Sequence, residues 1–155
     1  MTYSWRVRVA LGVDHRGFLI KDELVAFLKA EGHDVVDCGT DSTDSVDYPD
    51  TAADVSRTVL SGDAERGIVV CGSGAGAAIA ANKLRGIRCA LAHDTYTAHQ
   101  CVEHDDANVL ALGSAVVGIE LARELVRTFL GARFQAGVER YERRLRKVEG
   151  LEENP

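Results

Sequence analysis

The sequence has few features that would place it outside the ordinary globular proteins. Only two of its 155 residues are proline, 46% are hydrophobic and 27% are charged. This composition argues against a disordered or fibrous chain. No apolar stretch approaches the roughly 18 residues that suggest a membrane span, and the N-terminal residues lack the apolar core of a signal peptide. We therefore expect a cytoplasmic protein that does not bind a membrane.

The chain also lacks an excess of positive charge. Its formal net charge is −6, from 18 Lys and Arg against 24 Asp and Glu. Without an overall positive field to attract phosphates, we expect no nucleic-acid partner. A small anionic ligand is not excluded by this balance.

Closely spaced cysteine pairs are absent as well. The four cysteines, Cys38, Cys71, Cys89 and Cys101, form no C-x-x-C motif and are typical of reduced thiols in a cytosolic protein. A chain of this length buries about two-thirds of its unfolded surface and folds without a metal or disulfide. We expect one domain over residues 1–150, a frayed tail at 151–155, and no metal or cofactor.

Short apolar runs recur at the spacing of alternating strands and helices. Such runs predict five strands, and the stretches between them carry apolar residues at helical spacing. The fold class is therefore α/β, a single doubly wound, Rossmann-like parallel sheet of five strands in an α/β/α sandwich. The predicted strands cover residues 7–13, 34–38, 67–71, 87–92 and 108–112.

The last predicted helix has a narrow apolar stripe. After Gly131 the chain is rich in arginine, while Tyr141, Leu145 and Val148 keep helical spacing. We expect this helix to dock on a partner subunit. A surface helix that packs on its own domain is the alternative.

One motif carries most of the functional signal. The third predicted strand leads into CGSGAG at residues 71–76, followed by a helix-forming stretch rich in alanine. A strand, a glycine turn and a helix start place a thiol and a hydroxyl beside unpaired backbone N–H groups. Cys71 can act as a base if its thiol ionises. The structural alternative is a small buried residue at a strand end, with the glycines serving only a tight turn.

Other candidates lie in the loops that follow strands, where open parallel sheets bind ligands. Asp14 and His15 end the first strand, although Asp14 as a cap beside an exposed His15 is an alternative. His104 is a candidate acid or base, but it precedes the fifth strand and is predicted at the far edge unless its helix reaches round. Gly72-x-Gly74-x-x-Ala77, with Asp94 downstream, also matches a dinucleotide fingerprint, but on the third strand and not on the usual first, so a non-catalytic dinucleotide-binding module is kept as an alternative.

These residues resemble the B-type ribose-5-phosphate isomerases and the related galactose-6-phosphate isomerase subunits. The resemblance covers about residues 8–130. It is carried, in order, by GVDHRG at 12–17, DYP at 47–49, CGSGAG at 71–76, AANK at 80–83, GIR at 86–88 and NVLALG at 108–113. It implies a homodimer, or a homotetramer in some members, and aldose–ketose isomerisation of a small sugar phosphate without metal or cofactor.

The resemblance also implies roles for individual residues. Cys71 would move the proton between C1 and C2, Ser73 would assist at the substrate oxygens, and His104 would open the sugar ring. The loop N–H groups would hold the charge of a cis-enediolate. The implied substrate-binding residues are Asp14, His15, Tyr48, Gly72, Gly74, Ala75, Gly76, Asp105, Arg140 and Arg143.

Several positions depart from the pattern of the ribose-5-phosphate enzymes. Asp105 stands in place of an asparagine, and Ala115, Val138 and Glu142 stand near or at positions of phosphate-binding residues. We therefore expect a substrate other than ribose 5-phosphate, such as a tetrose phosphate, another pentose phosphate or an unphosphorylated sugar. The alternatives are a ribose-5-phosphate isomerase with a rearranged phosphate site, in which Arg140, Arg143 or Arg144 substitutes, and a non-catalytic partner subunit.

Overall fold

The computed structural model describes residues 5–155, which form a five-stranded parallel sheet between two layers of helices. The strands stand in the order β2-β1-β3-β5-β4. Their bounds are β1 Arg8–Val13, β2 Asp34–Asp37, β3 Arg66–Cys71, β4 Cys89–Leu91 and β5 Val109–Gly113. The predicted fold class is confirmed, and every predicted strand is present with its bounds shifted by at most two residues.

Six α-helices cover the described part of the chain. Apolar side chains of α1, α4 and α5 pack on one face of the sheet, α2 and α3 pack on the other, and α6 contacts α4. The bounds are α1 Lys21–Ala30, α2 Tyr48–Leu60, α3 Ala75–Ala81, α4 Thr95–Asp105, α5 Ile119–Gly131 and α6 Glu139–Glu153. None of these helices combines the length and hydropathy that a bilayer crossing requires.

Local signals in the sequence explain where several helices begin and end. Asp94 caps α4 by accepting a hydrogen bond from the Thr97 N–H at 2.7 Å, and that bond holds the pKa of its carboxyl below its usual value. Pro49 lies in the first turn of α2. Gly32 follows α1 with φ +89°, a conformation that glycine adopts without strain.

The C-terminal residues differ from the predicted frayed tail. Helix α6 continues through Glu153, so only residues 154 and 155 lie beyond it. The Glu152 carboxylate accepts the Gly86 N–H at 2.8 Å, and the Glu152 carbonyl accepts from the Arg85 guanidinium at 2.9 Å. These contacts, which join segments far apart in sequence, order the last turn of the helix. Docking of α6 on a partner stays a prediction.

Candidate active site

The candidate site lies where the strand order reverses. From β1 the chain proceeds to β2 on one side, whereas from β3 it proceeds toward β4 and β5 on the other. Crevices at the carboxyl ends of such neighbouring strands are the usual ligand sites of open α/β sheets. The loop after β1 meets the end of β3 here, because the Asp14 N–H donates to the Val70 carbonyl at 3.1 Å.

Cys71 is the last residue of β3 and only 5% exposed. Its Sγ accepts a hydrogen bond from the Gly74 N–H at 3.1 Å, which turns the loop back over the sulfur. Gly74 has φ +80°, and this left-handed backbone makes the tight turn possible without strain. An N–H aimed at the sulfur stabilises negative charge on it, so the geometry suits a thiolate base.

The rest of the loop offers further donors. The hydroxyl of the exposed Ser73 accepts the Ala75 N–H at 3.2 Å. The N–H groups of Ser73 and Gly76 have no acceptor among residues 5–155. Uncommitted N–H groups next to a thiol can stabilise an oxyanion that develops on a substrate.

Two side chains flank the loop. The Tyr48 ring, at the start of α2, lies across Gly76, since a Cβ there would come within 2.6 Å of the ring. The Arg16 guanidinium lies across Gly72, where Nη1 is 2.5 Å from the position a Cβ would take. Glycine at both positions therefore lets these side chains approach the backbone closely.

Asp14 and His15 both take part in holding the loop after β1. One oxygen of the buried Asp14 carboxylate accepts the Arg16 and Gly17 N–H groups, each at 2.9 Å, so its capping role is present. His15 Nδ1 accepts the Val46 N–H at 3.2 Å. The neutral imidazole therefore carries its proton on Nε2, where it can donate to a ligand.

The other cysteines are poor bases. Burial raises the pKa of Cys89 to about 12 and that of Cys101 to about 11, and burial also raises the pKa of Cys38. These thiols stay protonated near neutral pH. No three His, Cys, Asp or Glu side chains in the described part of the chain are grouped to hold a metal ion.

His104 and three other predicted site residues lie elsewhere. Helix α4 starts at the carboxyl edge of the sheet and runs back about 15 Å, so that His104, in its last turn, lies near the start of β5. Its ring stacks on Tyr141 of α6 with centroids 4.1 Å apart, and its Nδ1 is 2.8 Å from Gln100 Nε2. Within one chain, His104 is therefore at the opposite edge from Cys71.

Asp105, Arg140 and Arg143 belong to this second group, which we call the His104 cluster. Arg140 donates to the Tyr141 hydroxyl at 3.0 Å and covers that ring, while Arg143 pairs with Glu139 one turn along α6. Asp105 lines a groove of about 430 Å³ between β4, α4 and α6, which lies away from Cys71. Helices α4 and α6 hold these four residues at the edge opposite Cys71 within one chain, as the order of elements predicts for His104, and their place in the site stays a prediction.

Two of the residues that depart from the ribose-5-phosphate pattern, Ala115 and Glu142, make contacts that stabilise loops. Ala115 is exposed beside the loop, and its N–H donates to the Gly72 carbonyl at 2.9 Å. The Glu142 carboxylate accepts the Gly137 N–H at 3.0 Å and so stabilises the turn before α6. Neither residue supplies a positive charge for a phosphate.

Sequence reasoning assigned no role to two residues at the carboxyl edge. One is Arg16, described above. The other is His93, after β4, whose Nε2 accepts the Gly113 N–H at 3.1 Å. Gly113 is paired in register with Cys71 on the neighbouring strand. The position of both residues in loops after strands was the available signal, but their contacts to other strands are not visible in sequence.

Comparison with known proteins agrees with this geometry. Residues 9–148 match the family model described as Ribose/Galactose Isomerase. Ribose-5-phosphate isomerase B of Escherichia coli is 42% identical over 146 residues, which cover 94% of this chain and 97% of that protein. D-erythrulose-4-phosphate isomerase of Pectobacterium atrosepticum is 38% identical over 130 residues, covering 83% and 86%.

A solved structure leads to the same family. Ribose-5-phosphate isomerase B of Clostridium thermocellum superposes with a TM-score of 0.91 and 46% identity, covering 95% of this chain and 98% of that one. The resemblance inferred from the motifs is confirmed. The chain belongs to the ribose/galactose isomerase family, a family of aldose–ketose isomerases.

Proposed function

We propose that this chain interconverts the aldose and ketose forms of a small sugar phosphate, with Cys71 moving the proton. The observation that carries the proposal is the Gly74 N–H aimed at Cys71 Sγ, beside the uncommitted N–H groups of Ser73 and Gly76. The Cys71 thiolate removes the proton from C2 of the open-chain aldose, leaving a cis-enediolate. Once the hydroxyl proton of O2 has moved to O1 of the enediolate, the resulting thiol returns its proton to C1, which gives the ketose and restores the thiolate.

The neighbouring residues stabilise and orient the reacting carbons. The N–H groups of Ser73 and Gly76 hold the oxyanion of the enediolate, and the Ser73 hydroxyl bonds to a substrate oxygen. His15 donates from Nε2 to a substrate hydroxyl, and the free oxygen of Asp14 accepts from another. Tyr48 closes one side of the site. The reaction is a proton transfer within one substrate, so it needs no redox cofactor.

We infer that the site is completed by a second copy of the chain in a homodimer. His104 lies at the opposite edge of its own sheet and cannot reach a substrate on Cys71 of the same chain. A symmetric dimer, in which each subunit gives the same surface to the other, would bring the His104 cluster of one copy to the Cys71 loop of its partner. Near the loop, Ile79 and Tyr96 are apolar side chains about two-thirds exposed, as suits such an interface.

In this arrangement His104 opens the ring of a cyclic pentose phosphate, a step that an open-chain tetrose 4-phosphate does not need, and the cluster meets the far end of the substrate. Arg140 and Arg143 carry positive charge there, whereas Asp105 and Glu142 carry negative charge. This mixed charge favours a substrate other than ribose 5-phosphate, such as a tetrose or another pentose phosphate. A relative that shares 38% of its residues over most of both chains is named for a tetrose phosphate.

We also propose a cytoplasmic location, which the four free cysteines support.

A substrate panel tests the proposal. Purified chain is incubated with ribose 5-phosphate, erythrose 4-phosphate, erythrulose 4-phosphate and their phosphate-free forms, and aldose–ketose conversion is followed by NMR. We expect conversion of at least one phosphate ester and a higher kcat/KM for another sugar phosphate than for ribose 5-phosphate. Preference for ribose 5-phosphate would restrict the proposal to a ribose-5-phosphate isomerase with a rearranged phosphate site. No conversion of any sugar would overturn the isomerase function.

A further inference from the structure

We propose that Arg16, on the same subunit as Cys71, binds the phosphoryl group of the substrate. This inference rests on the function proposed above and adds a residue that determines specificity. The Arg16 side chain lies over Gly72, the residue directly after Cys71, with Nη1 and Cζ 2.5 Å and 2.9 Å from the position of a Cβ on Gly72. Its guanidinium is exposed and has no acidic partner among residues 5–155.

The loop after β1 fixes Arg16 in this place. The Asp14 carboxylate accepts the Arg16 N–H and holds the turn from within the chain. Gly17 packs against the end of β3, since a Cβ there would lie 2.3 Å from the Val70 carbonyl oxygen. Residue 16 is therefore pressed against the start of the Cys71 loop. The backbone position is set by the fold, and only the side chain needs to adjust to a ligand.

Arg16 is the available positive charge at this edge of the sheet. Among the loops that follow the strands, residues 14–20, 38–47, 72–74, 92–94 and 114–118, it is the only lysine or arginine, whereas five aspartates stand there. Lys21 follows directly but is buried and paired with Asp37 at 2.7 Å and Asp41 at 2.6 Å. Burial lowers the pKa of Lys21, and its hydrogen bonds to the two carboxylates outweigh this and raise it.

The position of Arg16 favours a phosphoryl group over the enediolate. The N–H groups suited to the enediolate lie beyond Cys71, at Ser73 and Gly76. Arg16 approaches from β1 and lies at the exposed rim, where Ala115 on the other neighbouring loop offers no charge. A guanidinium binds a phosphate dianion through two parallel hydrogen bonds, which a lysine ammonium cannot reproduce.

Arg16→Met, Arg16→Lys and the control Arg57→Met test the inference. Arg57 is an exposed arginine in the last turn of α2, with Asp54 3.8 Å away, so its loss changes the net charge equally without touching the site. For the best phosphorylated substrate, we expect Arg16→Met to raise KM about 10- to 100-fold and to change kcat little. The inhibition constant of inorganic phosphate should rise in parallel. The KM and the phosphate inhibition constant of Arg16→Lys should lie between those of the wild type and those of Arg16→Met. Arg57→Met should match the wild type in both.

The outcomes separate this inference from the proposed function. Unchanged KM and phosphate inhibition in Arg16→Met, with an active wild type, would overturn the role of Arg16 alone. A fall in kcat with unchanged phosphate inhibition would also overturn it, because Arg16 would then act on the enediolate. If the wild type isomerises no sugar phosphate, phosphate binding followed by ³¹P NMR decides: tighter binding to wild type than to Arg16→Met supports the anion site, and equal binding overturns it.

Discussion

The Cys71 loop and the His104 cluster position their functional groups by different means. The loop is built from backbone: Cys71 is paired in register with Gly113 on β5, and the Gly74 N–H meets its sulfur. The His104 cluster is built from side chains on two helices, α4 and α6, and the His104 ring stacks on Tyr141. Groups fixed by the sheet are hard to vary, whereas helix surface residues are readily exchanged.

This difference separates chemistry from substrate choice. In the proposed mechanism, proton transfer needs the Cys71 thiol and the N–H groups of its loop, which the end of β3 and the glycine turn hold in place. The far end of the substrate would meet α4 and α6, where Asp105, Val138 and Glu142 depart from the pattern of the ribose-5-phosphate enzymes. We therefore expect changes in the loop to abolish the reaction and changes in the cluster to alter or weaken it.

The largest expected effect is that of Cys71→Ala. It removes the base, so exchange of the substrate C2 proton with solvent should fall by about 10²–10⁴-fold or more. NMR in D₂O measures the exchange, and circular dichroism checks that the fold survives. Cys89→Ala is the matched control, because burial keeps that thiol protonated with a pKa of about 12, and it should retain exchange. Full exchange in Cys71→Ala would remove Cys71 from the mechanism.

The next effect tests whether the two regions act on one substrate across subunits. Alone, Cys71→Ala and His104→Gln should each be strongly impaired on a ring-closed substrate. When the two are refolded together in equal amounts, half of the dimers are mixed and each mixed dimer has one intact site. About a quarter of wild-type activity should therefore return. Absence of any recovery, with mixed dimers present by native mass spectrometry, would place both residues in the same subunit's site.

The Cys71 loop could be predicted from sequence because its signals are contiguous. An apolar run at residues 67–70, followed by a cysteine and three glycines at 71–76, specifies a strand, a turn and a helix start without any knowledge of the rest of the chain. The five strands were found for the same reason. Where the chain is short of strong local signals, as at the ends of β4, the bounds shifted by up to two residues.

The separation of the His104 cluster was harder to predict. The order of strands and helices placed His104 at the far edge, whereas the family resemblance placed it in the site. Both statements hold together only if the site is shared between copies, and a single sequence does not state how copies meet. The contact of Arg16 with Gly72 was also hidden, because it joins residues 56 positions apart through the pairing of β1 with β3.

A smaller effect compares glycines in the two regions. Gly74→Ala forces an alanine to φ +80° and places its Cβ 2.9 Å from the Leu112 carbonyl carbon. Gly137→Ala, in the turn before α6, meets the same type of backbone strain at φ +90° but has no atom within 4 Å. Gly137→Ala should lower the free energy of unfolding by about 1–2 kcal/mol, and Gly74→Ala by more. Urea denaturation measures both, and equal losses would show that the loop is not tightly packed.

The smallest effect concerns the pH dependence of stability. It separates a loss of activity caused by unfolding from one caused by the residues of the site. Burial lowers the pKa of His33, which lies outside both regions and whose Nδ1 accepts the Val7 N–H at 3.1 Å. The unfolded chain therefore binds a proton more readily, and the free energy of unfolding should fall as pH drops through about 6.5 and level off below the folded pKa.

His33→Asn keeps an acceptor for Val7 and removes the titrating ring, so it should flatten this part of the stability curve. Urea denaturation between pH 7.5 and 5 measures the slope in the wild type and in His33→Asn. An unchanged slope in His33→Asn would mean that another group is responsible. A loss of isomerase activity over the same pH range that persists in His33→Asn would then belong to the residues of the site, and not to unfolding.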